Sequence, residues 1–293
     1  MMRKNPMLAY PVSDKPIDYT KPVFMQPKLD GVRCLIQYEN RPLKNIDCLS
    51  GQLTENVVVA YSRTGKQWLN IDHILQSLKP FFEANPNVIL DGELYNHALR
   101  DDFEKIISCV RKTKPTAVDR AESRRLVQFH CYDIVDETLT FEERYKFVFD
   151  NLTDSYGVRT VETTKVVKGM ENLQHSQNLE AGYEGSILRI NDVYQCKRSH
   201  SLRKFKDFHD AEAVLVDWVE GKGKRKGTIG KFMAIDADGN TFGMPVMDNF
   251  KKLQTMFKEM QTWVGKEATF TYFERTKAGS YRHPLFKAIR DYE

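Results

Sequence analysis

Short strand-like runs recur along this chain with few helical patterns between them, and this mixture limits the folds that it can adopt. Runs rich in β-branched and other apolar residues occupy 32–38, 57–61, 88–90, 127–135 and 186–190. Helical spacing occurs at 101–110, where Phe103, Ile106, Ile107 and Val110 lie on one face. These patterns predict a first region of short strands with helices between them.

The pattern changes after Asp207, where further strand-like runs lie at 211–219, 232–235, 241–244 and 268–273. Residues 236–240 between two of these runs are a hairpin turn signal. One helical face is also predicted, formed by Phe250, Leu253, Phe257 and Met260. Several short strands with one helix in about 85 residues predict a small β-barrel of the OB type. We therefore predict two domains, 1–207 and 208–293, with a hinge at 206–210.

Composition excludes several classes of protein. No stretch reaches the ~20 apolar residues of a membrane helix, and no apolar run follows Arg3 and Lys4 to make a secretory signal. We therefore expect a cytoplasmic protein without a membrane partner. Scattered cysteines without a CxxC pair predict reduced thiols and no zinc site; they are Cys34, Cys48, Cys109, Cys131 and Cys196.

Positive charge is concentrated in parts of the chain. The net charge of +4 is too small by itself to indicate a polyanionic partner. From Lys197 to Phe232, however, ten Lys and Arg residues face five acids, and a second basic cluster lies at 111–125. Such clusters suit the phosphate backbone of a nucleic acid, although a solvated protein face has the same composition.

Residues 28–33, Lys-Leu-Asp-Gly-Val-Arg, place a nucleophile, a carboxylate, a glycine and a guanidinium together. A lysine attacks phosphorus only as the free amine, so nearby cations or burial must lower its pKa. Arg33, Lys204 and Lys206 are candidates for those cations. Gly31 is expected to let the backbone turn so that Lys28 and Arg33 face one pocket. An exposed lysine in a turn would give the same hexapeptide.

Further motifs could serve a bound nucleotide. They comprise Arg63 in Ser-Arg-Thr-Gly at 62–65, Glu93 just past the run 88–90, Tyr132 within 127–135, Glu184 before 186–190, and Lys204 with Lys206. Glu93 could accept a hydrogen bond from a ribose hydroxyl, and Tyr132 could stack on a purine. Two lysines on one side of a strand suit a triphosphate. Each motif alone also has an ordinary explanation as a turn, a core aromatic or a solvated charge.

In their order, these motifs resemble those of the covalent nucleotidyltransferases, and among them the ATP-dependent DNA ligases, over most of the chain. The resemblance implies an α+β fold with an adenylation domain of two antiparallel sheets followed by an OB domain. It implies that Lys28 attacks ATP and carries AMP covalently. The other roles that it implies are phosphate or nick contact for Arg33 and Arg63, ribose binding for Glu93, adenine stacking for Tyr132, binding of Mg²⁺ (or Mn²⁺) for Glu184 with Glu93, and phosphate binding for Lys204 and Lys206.

The predicted OB domain carries two further features. Residues 221–230 lack the order of a Walker motif and resemble a basic DNA-binding loop of short phage ligases. The cations of that loop are Lys222, Lys224, Arg225 and Lys226. A C-terminal stretch loosely resembles the last family motif, in which a cation orients the leaving pyrophosphate. Arg282 and Arg290 both remain candidates, because the usual Arg-x-Asp-Lys ending is missing.

The resemblance implies a monomeric enzyme that seals 5′-phosphate/3′-hydroxyl nicks in duplex DNA during replication, repair or recombination. The segments before Lys28 and after the OB-like region are short, as in the minimal ligases of bacteriophages and viruses, and such an enzyme would act in the host cytoplasm. Bacterial accessory ligases are the second choice. An RNA ligase or an mRNA-capping guanylyltransferase shares the Lys28 motif. Ser62–Gly65 and Glu184 count against capping, and the OB-like region counts more weakly against RNA ligation. A non-catalytic OB-type DNA-binding protein is the alternative from another class.

Overall fold

The computed structural model describes residues 4–42, 54–206, 209–272, 274–275 and 279–290. The chain divides into two compact units, Met1–Phe205 and Lys206–Glu293. This division falls two residues before the boundary predicted from the sequence. Five residues named in the predictions lie outside the described ranges: Arg3, Cys48, Asp207, Phe208 and Phe273.

The first unit contains two mixed sheets, each with five strands among the described residues. One sheet has the order β1-β10-β9-β2-β8, and the other has the order β4-β3-β5-β6-β7. The strands are β1 Leu8–Pro11, β2 Val23–Pro27, β3 Val32–Pro42, β4 Thr54–Tyr61, β5 Ile89–Tyr95, β6 Gln128–Ile134, β7 Val158–Thr160, β8 Thr164–Val166, β9 Ser186–Ile190 and β10 Arg198–Phe205. Most neighbours are antiparallel, as the resemblance implied, but β1 with β10 and β6 with β7 run parallel.

Five helices cover these sheets within the described part of the first unit. They are α1 Asp72–Ala84, α2 Phe103–Val110, α3 Ala117–Leu126, α4 Phe141–Asn151 and α5 Glu171–Glu180. The main core lies between the second sheet and its helices, where Ile36, Leu90 and Phe129 are fully buried. In α2, Ile106 and Val110 of the predicted apolar face enter this core, whereas Phe103 and Ile107 are only partly buried, so the predicted face is confirmed in part.

The strand β5 extends further than the sequence predicted. The apolar run 88–90 ends before Asp91, yet the strand continues to Tyr95 through Asp91, Gly92 and Glu93. Its pairing with β3, which places Arg33 opposite Glu93, maintains the strand. Glu93 therefore lies within a strand rather than just past its end, and its side chain is held by the sheet.

The second unit is built on one five-stranded sheet with the order β13-β12-β11-β14-β17. Its strands are β11 His209–Glu220, β12 Ile229–Ile235, β13 Thr241–Pro245, β14 Glu267–Tyr272 and β17 Leu285–Ile289, with a short pair β15 Glu274–Arg275 and β16 Tyr281–Arg282. The edge strands β13 and β17 approach each other, so the sheet curls toward a barrel. The predicted hairpin is confirmed by the antiparallel pairing of β12 with β13.

Helix α6, Phe250–Lys258, lies between β13 and β14. The sequence predicted that its apolar face would include Phe250 and Met260. Instead Phe250 is 52% exposed, while Leu253 and Met256 are buried against the sheet. Met260 lies beyond the end of the helix in a short 3₁₀ turn, so the predicted face was wrong at both of its ends. None of the described helices is both long and apolar enough to cross a lipid bilayer.

Candidate active site

A cavity of about 310 Å³ opens between the two sheets of the first unit. Its lining brings together residues that lie far apart in the chain. The predicted site residues on its wall are Lys28, Arg33, Arg63, Glu93, Tyr132 and Lys204. The walls also include apolar side chains such as Leu29 and Ile187, which suit a flat heterocycle beside a charged phosphate chain.

Backbone pairing positions Lys28 against Glu184. The Lys28 N–H donates to the Gly185 carbonyl at 2.9 Å, and the Glu184 N–H donates to the Lys28 carbonyl at 3.2 Å. The Lys28 ammonium forms an ion pair with the Glu184 carboxylate, whose side chain is only 5% exposed. Gly185 has φ of 145°, a conformation that favours glycine at this junction. The two motifs are therefore one local structure.

Gly31 is required for a reason that differs from the predicted one. Its backbone does not take the left-handed conformation that a glycine turn would use. A Cβ atom at Gly31 would instead press on the Leu94 carbonyl oxygen and lie 2.7 Å from Cγ of Glu93. The glycine permits close approach of two backbones, which places the start of β3 beside β5.

Arg33 faces the cavity, but it is already bound to a carboxylate. Its Nε donates to Oδ1 of the buried Asp91 at 2.6 Å, and its Nη2 donates to Oδ2 of the same side chain. Burial lowers the pKa of Arg33, but the charge and hydrogen bonds of Asp91, together with Tyr132 and Tyr194, outweigh this effect and hold the pKa above its usual value. Because its charge is neutralised by Asp91, Arg33 is a poor candidate for the cation that deprotonates Lys28.

Glu93 and Tyr132 are paired deep in the cavity. The Tyr132 hydroxyl donates to Oε2 of Glu93 at 3.2 Å. Burial raises the pKa of Glu93 to about 7, although the charges of Arg33 and Lys28 oppose the shift. A carboxyl with such a pKa near the cavity wall can accept a hydrogen bond from a ligand hydroxyl. The Tyr132 ring also contacts the guanidinium groups of Arg33, at 5.1 Å, and Arg189, at 5.4 Å.

Lys204 is the cation that the structure places beside Lys28. Burial lowers the pKa of Lys204, and repulsion from Lys28 and Arg198 lowers it further. Arg198 also lines the cavity and donates from Nη1 to the Ala9 carbonyl oxygen at 2.5 Å. The sequence had placed Arg198 only within a basic cluster. It lies on β10, on the same strand as Lys204, and is a further cation of the cavity wall.

The prediction that Lys204 and Lys206 share one face of a strand is wrong in one respect. Strand β10 ends at Phe205, so Lys206 lies beyond the strand. Lys206 is also the first residue of the second unit. The strand therefore orients Lys204 but does not orient Lys206.

Arg63 lies in a tight turn at the end of β4. The Ser62 Oγ accepts a hydrogen bond from the Lys66 N–H at 2.9 Å, and the Gly65 N–H donates to the Ser62 carbonyl at 2.9 Å. Gly65 has φ of 85°, which this turn needs. The Ser-Arg-Thr-Gly motif is therefore a structural turn that presents the Arg63 side chain at the cavity.

Sequence reasoning missed a buried network beneath Tyr132. Asp133 is fully buried and accepts hydrogen bonds from Arg144 Nε at 2.7 Å and Arg189 Nη1 at 2.6 Å. Arg144 lies on α4, whose start is capped by Thr140 and Glu143. The presence of an aspartate next to Tyr132 was visible in the sequence, but its partners come from a helix and from the other sheet.

Two carboxylates could contribute to a metal site. Among the described residues, no group of three or more His, Cys, Asp and Glu side chains could hold a metal ion. Mg²⁺ commonly uses only one or two carboxylates and takes its other ligands from substrate phosphates and water. Glu93 and Glu184 both lie near Lys28, so this donor set fits an ion that arrives with a nucleotide triphosphate.

In the second unit, the basic loop between β11 and β12 is a compact turn. It contains the 3₁₀ turn Gly223–Arg225, and the Gly227 N–H donates to Oε1 of Glu220 at 2.7 Å. Lys222, Lys224 and Lys226 are exposed on it, whereas Arg225 is partly buried. The turn therefore presents a cluster of lysines to solvent.

The two C-terminal arginine candidates have different surroundings. Arg290 forms ion pairs with Glu212 and, at 3.8 Å, with Glu267, so it ties the end of β17 to the neighbouring strands. Arg282 lies on β16, opposite Glu274.

The first unit is similar to proteins of a known family. Residues 6–206 match the family model described as ATP dependent DNA ligase domain. A DNA ligase of African swine fever virus (isolate Tick/South Africa/Pretoriuskop Pr4/1996) is 30% identical over 206 residues, which cover 67% of this chain and 47% of the viral protein. The chain thus spans about half the length of the curated relatives it matches.

Solved structures show the fold. A Lig E DNA ligase aligns with a TM-score of 0.73 and 23% identity over 99% of this chain and 100% of that chain. The ATP-dependent DNA ligase of bacteriophage T7 in complex with ATP aligns with a TM-score of 0.51 and 17% identity over 98% of each chain. The likeness confirms the predicted fold class, an α+β nucleotidyltransferase domain followed by an OB-fold domain. On the match of residues 6–206, the chain belongs to the ATP-dependent DNA ligase family.

Proposed function

We propose that this protein is an ATP-dependent DNA ligase that seals 5′-phosphate/3′-hydroxyl nicks in duplex DNA. The observation that carries the proposal is the ion pair of Lys28 with the buried Glu184 on the wall of a cavity that also contains Glu93, Tyr132 and Lys204. A nucleophile, a hydroxyl acceptor, an aromatic ring and a phosphate-binding cation thus surround one space. Family membership supports the same reaction.

The first step is attack of the Lys28 amine on the α-phosphorus of ATP, with pyrophosphate as the leaving group. The ion pair with Glu184 favours the protonated amine, so before the attack the ion pair must open and the ammonium must give a proton to the Glu184 carboxylate or to water. Lys204 lies close enough to repel the Lys28 ammonium and, with Arg198, can bind the phosphate oxygens on which charge develops. The product is AMP joined to Lys28 through a phosphoramide bond.

Two transfers follow from this lysyl-AMP. The 5′-phosphate of the nick attacks the AMP phosphorus, which releases Lys28 and forms a DNA-adenylate. The 3′-hydroxyl then attacks the 5′-phosphate, and AMP leaves as the phosphodiester forms. In both steps the protein chiefly positions the reacting groups and neutralises charge on phosphate oxygens. Glu93 and Tyr132 would hold the ribose and adenine of AMP throughout.

A divalent ion fits the same site. We infer that Glu184 and Glu93 would hold Mg²⁺, or Mn²⁺ in its place, together with nucleotide phosphates. The ion would neutralise negative charge on the phosphate oxygens. For this role Glu184 would have to give up its ion pair with Lys28.

Nick binding is assigned to both units. In the first unit, Arg63 presents its guanidinium at the cavity. In the second unit, Lys222, Lys224, Arg225 and Lys226 would bind the DNA backbone, and Arg282 or Arg290 would act on pyrophosphate during adenylation. A hinge at 206–210 would let the second unit serve both steps. A monomeric state and a cytoplasmic location, in the host cell if the gene is viral, also remain predictions.

The decisive experiment is incubation with α-labelled ATP followed by denaturing electrophoresis. The wild-type chain should carry a covalent AMP label, and Lys28→Ala should carry none. Lys21→Ala, at an exposed lysine outside the cavity, is the matched control and should keep the label. Full labelling of Lys28→Ala would refute Lys28 as the nucleophile, and an unlabelled wild-type chain would refute the covalent mechanism.

Substrate competition separates the remaining alternatives. The proposal predicts ATP rather than GTP as the nucleotide, which opposes a capping guanylyltransferase. It predicts sealing of a nick in DNA at a higher kcat/KM than sealing of the same nick in RNA, which opposes an RNA ligase. An inert DNA-binding protein would bind the nick in this assay without forming an AMP adduct.

A further inference from the structure

The first strand, β1, forms one wall of the nucleotide cavity, although no predicted site residue lies on it. Leu8 and Ala9 line the cavity. The strand runs parallel to β10, where Leu8 lies opposite Arg198 and Pro11 lies opposite Lys204. Arg198 and Lys204 are the cations that the proposed adenylation step places on phosphate oxygens. Strand β1 therefore pairs with β10 at the positions of both cations.

Two residues of β1 hold Arg198 directly. Nη1 of Arg198 donates to the Ala9 carbonyl oxygen at 2.5 Å, and the Arg198 guanidinium carbon lies 5.5 Å from the centroid of the Tyr10 ring. An aromatic ring attracts a guanidinium at this distance. The Tyr10 ring also stacks on His200, with 3.9 Å between the ring centroids. The orientation of Arg198 therefore depends on the position of β1.

Met7, the residue before β1, belongs to a closed cycle of hydrogen bonds. Its N–H donates to the Tyr194 hydroxyl at 2.7 Å, and that hydroxyl donates to Oδ2 of the buried Asp91 at 2.7 Å. Nη2 of Arg33 donates to the same Oδ2 and, at 3.2 Å, to the Met7 carbonyl oxygen. The main chain at the start of β1 is therefore attached to the Arg33–Asp91 pair through both its donor and its acceptor.

Tyr194 completes this cycle without reaching the cavity. It is 1% exposed and is not among the residues that line the cavity. Burial and the charge of Asp91 raise the pKa of Tyr194, so its hydroxyl keeps the proton that it donates to Asp91. The Tyr194 ring packs with Met7 and Leu202 in a small apolar cluster. Loss of the hydroxyl alone would keep this packing, but it would leave the Met7 N–H and Asp91 each short of one partner.

We propose that Tyr194 is a positioning residue for the adenylation of Lys28, because its hydroxyl holds β1 where that strand can orient Arg198 toward the triphosphate of ATP. This inference deepens the proposed ligase function and rests on it. Tyr194 acts through Met7 and β1 and contacts no substrate. Sealing by protein that already carries AMP uses no triphosphate, so that step should not depend on Tyr194.

The variant Tyr194→Phe removes the hydroxyl and keeps the ring. In labelling of Lys28, this variant should raise the KM for ATP about tenfold while kcat changes little, because a hydrogen bond to a charged group contributes free energy of that size. Single-turnover sealing by protein that carries AMP should stay at the wild-type rate. An unchanged KM would overturn the proposal. Equal losses in labelling and sealing would also overturn it, since they indicate a purely structural role.

Tyr156→Phe is the matched control. The Tyr156 hydroxyl donates to the Arg125 carbonyl oxygen at 2.7 Å, and Tyr156 is 60% exposed and is not part of the cavity lining. Labelling and sealing should both stay at wild-type values in this variant. If the control raised the KM for ATP as far as Tyr194→Phe does, the effect would not belong to the cycle at Met7 and the proposal would fail.

The route through Arg198 is tested by combining variants. If Tyr194 acts by orienting Arg198, Tyr194→Phe should raise the KM for ATP in the wild-type background but not in the Arg198→Ala background. Equal increases in both backgrounds would contradict the proposal. Tyr10→Leu removes the aromatic contact to Arg198 and keeps the Tyr194 hydroxyl. It should also raise the KM for ATP, which maintains the test if Tyr194→Phe does not fold, and an unchanged KM in Tyr10→Leu would show that β1 does not orient Arg198.

Hydrogen exchange of the full chain reports on β1 in the absence of nucleotide. The N–H groups of Met7 and Leu8 donate to the Tyr194 hydroxyl and to the Lys197 carbonyl oxygen, respectively. In Tyr194→Phe both amides should exchange about tenfold faster, while the amides of helix α1 should exchange as in wild type. An unlabelled wild-type chain in the ATP assay would refute the proposed function itself. A labelled wild-type chain with unchanged exchange at Met7 and Leu8 in Tyr194→Phe would refute only this inference.

Discussion

Asp133 on β6 and Arg189 on β9 are joined by a hydrogen bond of 2.6 Å that crosses from one sheet of the first unit to the other. Arg189 also donates from Nε to Oε1 of Gln26 at 2.6 Å, and Gln26 in turn donates to the Tyr132 carbonyl oxygen at 3.1 Å. This chain of bonds connects the two walls of the nucleotide cavity. The position of Tyr132 relative to Lys28 therefore depends on a chain of polar groups that starts at the fully buried Asp133 and passes through the cavity wall.

Replacement of Asp133 should destabilise the first unit. Asp133→Asn removes the negative charge that Arg144 and Arg189 share, which leaves two buried guanidinium groups without a counter-ion. Loss of one partner from a buried ion pair costs about 3–5 kcal/mol. Urea denaturation followed by fluorescence measures the change.

The control for this variant is Asp154→Asn. Asp154 is 48% exposed and lies 3.9 Å from Arg159, so its loss should cost less than about 1 kcal/mol. If both substitutions have the same small effect, the buried network does not stabilise the unit.

Glu93 should make stability depend on pH near neutrality. Burial raises its pKa from the usual 4.5 to about 7, so the folded protein keeps this proton at a pH at which the unfolded chain has lost it. The contribution of Glu93 to stability is thus most favourable below pH 4.5, falls as the pH rises toward 7, and changes no further above 7. The side chain in the Glu93→Gln variant does not titrate, so its contribution to stability does not change with pH.

Relative to wild type, Glu93→Gln should therefore gain about 3 kcal/mol in free energy of unfolding between pH 4 and pH 8. Denaturant titrations of both proteins across this range give the difference. Glu104→Gln, on the exposed face of α2, is the control and should show a flat difference. A flat profile for Glu93→Gln would mean that Glu93 is ionised in the folded state.

Arg198 should affect the use of ATP more than the sealing of DNA. It lines the cavity beside Lys204, and a hydrogen bond to a charged phosphate contributes about 1.5–3 kcal/mol. Arg198→Ala should therefore raise the KM for ATP in Lys28 adenylation about tenfold or more. Single-turnover sealing by enzyme that already carries AMP should change little.

The neighbouring Lys197→Ala removes an exposed cation outside the cavity and should leave both rates unchanged. An unchanged KM in Arg198→Ala would show that this arginine does not contact the triphosphate. A slower sealing rate with unchanged adenylation would place it on the DNA instead.

The basic turn of the second unit should contribute to the salt dependence of nick binding. Lys224→Ala/Lys226→Ala removes two exposed charges, and the slope of log K against log salt should fall by about 1.8. The control Lys251→Ala/Lys258→Ala removes two exposed lysines from α6 in the same unit. Binding isotherms at several salt concentrations compare the two. Identical slopes would exclude this turn from the DNA interface.

Much of the fold follows from local patterns. The strand at 186–190 and the hairpin around 236–240 were predicted because alternation and turn residues are local signals. The predictions were wrong where tertiary pairing overrides the pattern. The strand β5 continues through the polar residues Asp91 and Glu93 because partners on both sides complete its hydrogen bonds.

The candidate site was likewise predicted in part from local motifs, and the remainder became visible only in the structure. Lys28, Glu93 and Tyr132 were found because their motifs occur in a fixed order along the chain, and the structure brings them to one cavity. Arg189 and Arg198 were missed as members of the site. No local pattern distinguishes a cavity arginine from any other arginine on a strand.

By itself, the sequence determined the chemical types and their order: a lysine nucleophile, the carboxylates, the aromatic ring and the lysines that follow. Only the tertiary structure decided which charges are available. In the folded chain Asp91 pairs with Arg33 and neutralises its charge, and burial raises the pKa of Glu93 to about 7. Lys66 and Arg111 line one depression of the surface. The physical reason is that charge and burial depend on distances between residues far apart in the chain, and folding alone sets those distances.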